Sequence, residues 1–127
     1  MNFNVKEETK KIIDFIRNYY KKQNLKGIVI GISGGKDSAV VAGLFTLALG
    51  KENVIGVTLP CHSNESDKND AKVISDKYGF ELINIDLTNS FDSFKLEIKK
   101  IGTYSQNQTK NSDINLKPRL RMSALYY

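Results

Sequence analysis

The chain has 127 residues, 40% of them hydrophobic and 26% charged, the balance of one small soluble domain rather than a disordered segment. No apolar run nears the ~18 residues of a bilayer span, and Met1 to Glu8 lacks the basic start and apolar core of a signal peptide. The net charge of +5 attracts anions, but the basic residues are scattered, without interleaved aromatics or zinc-finger spacing, so a small anionic substrate is favoured and nucleic acid is not.

The apolar residues Val5, Ile12, Ile16 and Tyr19 recur at helical spacing and predict a leading helix within residues 1–24, broken by Asn24. An apolar strand follows over Gly27 to Ile32, then a glycine turn. Val40, Leu44, Leu47 and Ala48 mark a second helix that Gly50 ends. Val54 to Leu59 reads as a buried strand stopped by Pro60. A polar loop, Cys61 to Ser66, leads to a helix carrying Ala71, Ile74 and Tyr78, with Asp67 and Asp70 as favourable charges near its start. Phe80 to Asp86 is the third strand. Ser90 is expected to cap a fourth helix bearing Phe91, Phe94, Ile98 and Ile101. Gly102 to Asp113 has no pattern and reads, with residue 114, as a mobile loop before a last helix starting near Lys117-Pro118.

Alternation of strand and helix predicts an α/β fold with a parallel sheet. The apolar strand before the glycine turn is expected in the middle of such a sheet, with further strands on its far side. The final helix carries no stop signal at Tyr127, so the chain reads as the N-terminal part of a longer domain cut after its third strand.

The chemistry concentrates in Gly31-Ile32-Ser33-Gly34-Gly35-Lys36-Asp37-Ser38. A strand, a glycine turn and a helix start bring backbone N–H groups together on an anion. A Walker A loop needs four residues between its glycines and a hydroxyl after its lysine, and a dinucleotide fingerprint needs G-x-G-x-x-G; both fail on spacing. Ser33, Gly34 and Gly35 can present N–H groups, and Ser33 and Ser38 can donate hydroxyl hydrogen bonds to phosphate. Asp37 would repel phosphate unless a cation lay between them, which suits Mg²⁺ ligation. Lys36 adds charge or faces solvent. The single cysteine, Cys61, excludes an internal disulfide, fits a cytoplasmic setting, and with the lone His62 supplies too few ligands for a metal.

The S-G-G-x-D-S pattern resembles the signature of the N-type ATP pyrophosphatases. Together with Val57-Thr58-Leu59-Pro60 and Asn115-Leu116-Lys117-Pro118-Arg119-Leu120-Arg121-Met122, the chain resembles the N-terminal half of ammonia-dependent NAD synthetases, whose pattern N-x-K-x-R-x-R-M is met at every fixed position. The resemblance implies a three-layer sandwich of the Rossmann-like adenine nucleotide α-hydrolase type. It implies ATP and Mg²⁺ as cofactors, deamido-NAD and ammonia as substrates, and a homodimer. Ile32 to Ser38 would hold ATP, with Ser33, Asp37 and Ser38 closest to the chemistry and Asp37 on the metal. Arg119 and Arg121 would lie near the nucleotides or the deamido-NAD site at the dimer side; two residues apart on a helix, they do not share a face. Another ATP pyrophosphatase, of the tRNA-thiolating or GMP-synthetase type, would share the loop, and a non-catalytic nucleotide-binding remnant would too.

The resemblance places a later magnesium-binding glutamate and the remaining strands beyond Tyr127. These 127 residues alone are therefore expected to bind ATP weakly and to form no NAD. Turnover of deamido-NAD by the purified segment at an ordinary enzyme rate would refute this.

Overall fold

The computed structural model describes residues 2–102 and 106–127. Five helices and three strands follow in the order α1 (Val5–Lys22), β1 (Ile28–Gly31), α2 (Lys36–Leu49), β2 (Val54–Thr58), α3 (Glu65–Tyr78), β3 (Glu81–Asn84), α4 (Thr88–Lys99) and α5 (Gln106–Tyr126). The strands form one parallel sheet in the order β1-β2-β3. Gly31 pairs with Val57, and Thr58 with Asn84, so the three carboxyl ends lie together at one edge.

Alternation along β2 explains the layers. Val54 joins Ile32, Ala42, Ala71 and Phe80 in one apolar cluster, to which Phe45 of α2 and Ile74 of α3 add partly buried surface. Val57 and Leu59 join Cys61, Leu87 and Phe91 in a second, which Leu116, Leu120 and Leu125 of α5 cover. Successive strand residues point to opposite faces, so a strand apolar along its length needs helices on both. Gly56 is the exception on the first face: a Cβ there would lie 2.5 Å from the Phe80 ring and 3.1 Å from Ile32.

α1 begins at Asn4, whose side chain accepts from the N–H groups of Lys6 and Glu7, a cap worth about 1 kcal/mol. Arg17 of α1 donates to the Ala48 and Leu47 carbonyls at 2.8 and 3.3 Å, tying α1 to the last turn of α2, where cations suit the unpaired carbonyls.

Two expectations from the sequence are corrected. Residues 106–114 belong to α5 rather than to a loop, and only 103–105 of the expected loop lie outside the described residues. Pro118 therefore sits inside the helix and does not open it. Proline forfeits one in-helix bond to the carbonyl four residues back, but Pro118 is exposed, so water can reach that carbonyl, while Leu116 and Leu120 on either side keep the helix packed. α4 starts at Thr88, not after Ser90; Asp86 accepts the Thr88 N–H at 2.9 Å and takes over the capping. Among the described residues β1 lies at the sheet edge, with Val29 exposed, on the side where the sequence expects the further strands of a longer domain.

Gly56→Ala is expected to lower stability by about 1–3 kcal/mol through overpacking, read as a lower urea midpoint with unchanged slope. An unchanged midpoint would show that the Phe80 ring yields freely.

Candidate functional site

The turn between β1 and α2 is organised by its own hydroxyls. The Ile32 N–H extends the ladder by donating to the Val57 carbonyl at 2.8 Å. The Ser33 N–H donates to Ser38 Oγ at 3.2 Å, the Gly35 N–H to Ser33 Oγ at 3.2 Å, and the two hydroxyls lie 3.1 Å apart. Ser38 Oγ also donates to the Gly35 carbonyl at 3.2 Å. Ser33 and Ser38, five residues apart, are thereby held side by side at the start of α2. Helix geometry leaves the first-turn N–H groups without in-helix partners, so those of Lys36, Asp37 and Ser38 give this end of α2 its anion-attracting character.

Gly34 explains the glycine. It has φ +88°, a region that L side chains rarely enter, and a Cβ there would stand 2.7 Å from the Asp67 carbonyl oxygen. The turn is thus pressed against the first turn of α3, backbone to backbone. Gly35 is the N-cap of α2 with extended geometry and no side-chain cap.

A cavity of about 350 Å³ opens beside this turn, within the range of small-ligand pockets. Its floor is the carboxyl ends of the strands: Gly31 to Ser33, Val57 to Pro60, and Asn84. Ser63, Asn64, Asp67 and Lys68 from the start of α3 form one side, and Arg121 and Leu125 of α5 another. Open α/β sheets place ligands at this edge.

The expected residues divide. Ile32 and Ser33 line the cavity, and Gly34 locks the turn against α3. Gly35, Lys36, Asp37 and Ser38 lie beyond the cavity wall at the helix start, with Lys36 and Asp37 exposed. Arg121 lines the cavity, its Nε donating to the Leu59 carbonyl at 2.9 Å. Arg119 does not; it is exposed and its guanidinium donates to the Asn115 carbonyl at 2.9 Å.

Mg²⁺ asks for hard oxygen donors and commonly takes one or two carboxylates together with substrate phosphates. Asp37, exposed at the end of α2 where phosphate would sit, fits as one such donor. Among the described residues no three His, Cys, Asp or Glu side chains converge on a metal site.

Cys61 is buried in the second cluster, and burial pushes its thiol pKa up, outweighing Lys117 and Arg121 nearby. It is therefore a core residue and no activated nucleophile. His62 is exposed, has φ +50°, and its Nε2 lies 2.7 Å from Asp92 Oδ1, outside the cavity lining. Hydrogen bonds from the Thr88 side chain and backbone hold Asp86 below the usual carboxylate range. Such a depressed pKa stabilises the fold above the ordinary carboxylate range, and the contribution is lost as pH falls through the folded value.

The sequence does not single out Asn84 or Lys68; Thr58 enters it only within the run Val57 to Pro60, Ser63 and Asn64 only among the residues after Pro60 that the resemblance sets beside the adenosine, and Asp67 only as a helix-start charge. Their signal was positional: each follows or ends a strand at the carboxyl edge.

A family model described as NAD synthase matches residues 8–127. The NH(3)-dependent NAD(+) synthetase of Finegoldia magna is 41% identical over 113 residues, covering 89% of this chain and 44% of that protein. That of Carboxydothermus hydrogenoformans is 35% identical over 127 residues, covering 100% of this chain and 51% of its own length. Among solved structures, the NH3-dependent NAD synthetase from Campylobacter jejuni superposes with a TM-score of 0.83 at 34% identity, over 98% of this chain and 52% of that one. An NMN synthetase from Francisella tularensis superposes with a TM-score of 0.84 at 27% identity, over 98% and 50%. The chain spans about half the length of the curated relatives it matches.

Gly34→Ala is expected to destabilise more than Gly102→Ala. Both glycines have positive φ, +88° and +78°, but a Cβ on Gly34 meets backbone, whereas one on Gly102 meets nothing within 4 Å among the described residues. The left-handed conformation costs each alanine about 1–2 kcal/mol, and the Asp67 clash adds to Gly34 alone. Equal melting-temperature losses would mean that the turn does not depend on contact with α3.

Proposed function

The chain belongs to the NAD synthase family, and we propose that its full-length protein converts deamido-NAD and ammonia to NAD at the expense of ATP. The observation that carries this reading is the paired Ser33 and Ser38 hydroxyls at the N-terminus of α2, with Ser33 on the lining of a cavity of about 350 Å³.

The chemistry follows from the weakness of a carboxylate as an acyl donor. Its carbon is electron-rich and its oxygen a poor leaving group. The nicotinate carboxylate attacks the α-phosphorus of ATP, pyrophosphate departs, and the carboxyl becomes a mixed anhydride with AMP. Ammonia then adds to that carbonyl, loses a proton, and expels AMP as the amide forms. On this segment the part played is electrostatic. The N–H groups of the turn, the hydroxyls of Ser33 and Ser38 and the positive end of α2 hold the β- and γ-phosphates and stabilise charge on the departing pyrophosphate. Lys36, exposed at the same end, adds a cation. Asp37 would hold Mg²⁺, which supplies charge neutralisation on the phosphates when bound.

Arg121 reaches the cavity through its packed position on α5, and its guanidinium can pair with phosphate bidentately. Arg119, on the outer side, serves the deamido-NAD side of the full-length protein. Ile114 and Met122, apolar and exposed on α5, offer surface for the remaining domain or for the second subunit of a homodimer. None of the described helices is long and apolar enough to cross a membrane; a cytoplasmic enzyme fits this reading.

The likeness to an NMN synthetase favours one second reading, in which the mononucleotide replaces deamido-NAD as the carboxylate substrate. The fold and the turn serve both, because the activation step is the same.

The full-length protein with ATP, Mg²⁺ and ammonia is expected to release AMP and pyrophosphate only when deamido-NAD is added, with NAD formed in equal amount. Nicotinate mononucleotide supporting the faster release would select the second reading. Ser38→Ala and Asp37→Asn are each expected to lower kcat about 100-fold with the fold intact by circular dichroism. A full-length protein that releases no AMP with either acceptor would overturn the assignment.

A further inference from the structure

The cavity holds a polar pair that the phosphate chemistry does not use. Thr58 and Asn84 are cross-strand partners at the carboxyl ends of β2 and β3, and both line the cavity. Thr58 is buried, and its Oγ1 donates to Asn84 Oδ1 at 2.7 Å, with the Ile83 carbonyl a poorer acceptor at 3.4 Å. A separation of 2.7 Å is the ordinary length of an O–H···O bond and is short for N–H···O. The amide oxygen therefore faces Thr58, and the amide nitrogen with its two hydrogens faces away from it. The Ile85 N–H donates to the Thr58 carbonyl at 2.9 Å, so the backbone beneath the pair is fixed as well.

We propose that Thr58 and Asn84 are the base-selecting element of the nucleotide site, in which Thr58 holds the Asn84 amide so that only N–H donors meet the ligand's ring. This deepens the reading that the glycine turn holds the phosphates of ATP, and it rests on that reading. Ile32, Val57 and Leu59 give the cavity apolar surface that suits the faces of a planar base. A free asparagine can turn its amide to offer donor or acceptor and reads both kinds of partner. With its oxygen turned to Thr58 it presents the N–H end of the amide to the ligand. Adenine presents a bare acceptor at N1, whereas guanine carries a hydrogen there, so a fixed donor accepts the first and opposes the second.

Isothermal titration of the full-length protein with ATP, GTP and pyrophosphate tests this. Asn84→Ala is expected to weaken ATP about fivefold while leaving pyrophosphate binding unchanged. Asn84→Asp, which places an acceptor against an acceptor, is expected to weaken ATP further. Thr58→Val frees the amide to turn and is expected to narrow the preference for ATP over GTP; Thr58→Ser keeps the hydroxyl and is expected to retain it. ATP affinity unchanged in Asn84→Ala overturns the proposal, as does equal loss of ATP and pyrophosphate, which marks a structural role. Wild-type protein that binds pyrophosphate but shows no preference between ATP and GTP overturns it while sparing the phosphate reading. Wild-type protein that binds none of the three fails the phosphate reading, and this inference with it.

Discussion

The parallel pairing of β2 with both neighbours is the constraint on which the site depends. Parallel strands put like ends together, and the register here leaves a stagger of one residue at most: Gly31 ends β1 opposite Val57, and Thr58 ends β2 opposite Asn84. The residues that leave the sheet therefore do so at one edge, and their loops must share the space above it. A slip of one residue would turn every side chain of the slipped strand to the other face. It would put Ile55 and Val57 where Val54 and the bare Gly56 now fit against Phe80, so the same packing that builds the core fixes the register that builds the site.

Contact between the β1–α2 turn and α3 is the second consequence. α3 starts beside the turn because β2 ends beside β1, and the two backbones approach so closely that Gly34 has no room for a Cβ. A helix start and a turn pressed together in this way share their rigidity. The hydroxyl network of Ser33 and Ser38 then sets the spacing of donors within the turn, while Asp67 and Lys68 of α3 border the cavity alongside. Arg121 closes the arrangement from the other face of the sheet. Its bond to the Leu59 carbonyl joins α5 to the end of β2, so a side chain 62 residues distant in sequence belongs to the same wall.

Much of this was legible in the chain. β1 and β2 are legible because short, mostly apolar runs between breakers have few other uses in a small α/β protein, and β3 because Leu82, Ile83 and Ile85 follow the stop at Gly79. The turn was legible because glycines, small hydroxyls and a carboxylate crowd together just after such a run. The start of α5 was not legible. Residues 106–114 are polar and carry no stripe of their own, and Pro118 falls where a helix start would be expected. Tertiary packing of Leu116, Leu120 and Leu125 against the second cluster overrides both local signals. The pairing of Thr58 with Asn84 is hidden for a related reason. Each is unremarkable beside its neighbours in sequence, and only the register makes them a pair.

The division of Arg119 from Arg121 shows how little of a motif's meaning lies in its spacing. Two positions on one helix are rotated by about 200°, so a pair that reads as one basic patch faces opposite ways once the helix is laid down. Arg121 is turned to the cavity, where one bond to Leu59 fixes Nε and leaves the rest of the guanidinium fork able to meet an anion. Arg119 is turned outward, and its bond to Asn115 only steadies the helix in the turn that Pro118 weakens. The two arginines thus answer to different surroundings, and their loss would be felt in different places: the first at the cavity, beside the Leu59 carbonyl, the second on the outer face of α5, where Met122, three residues on, leaves apolar surface open.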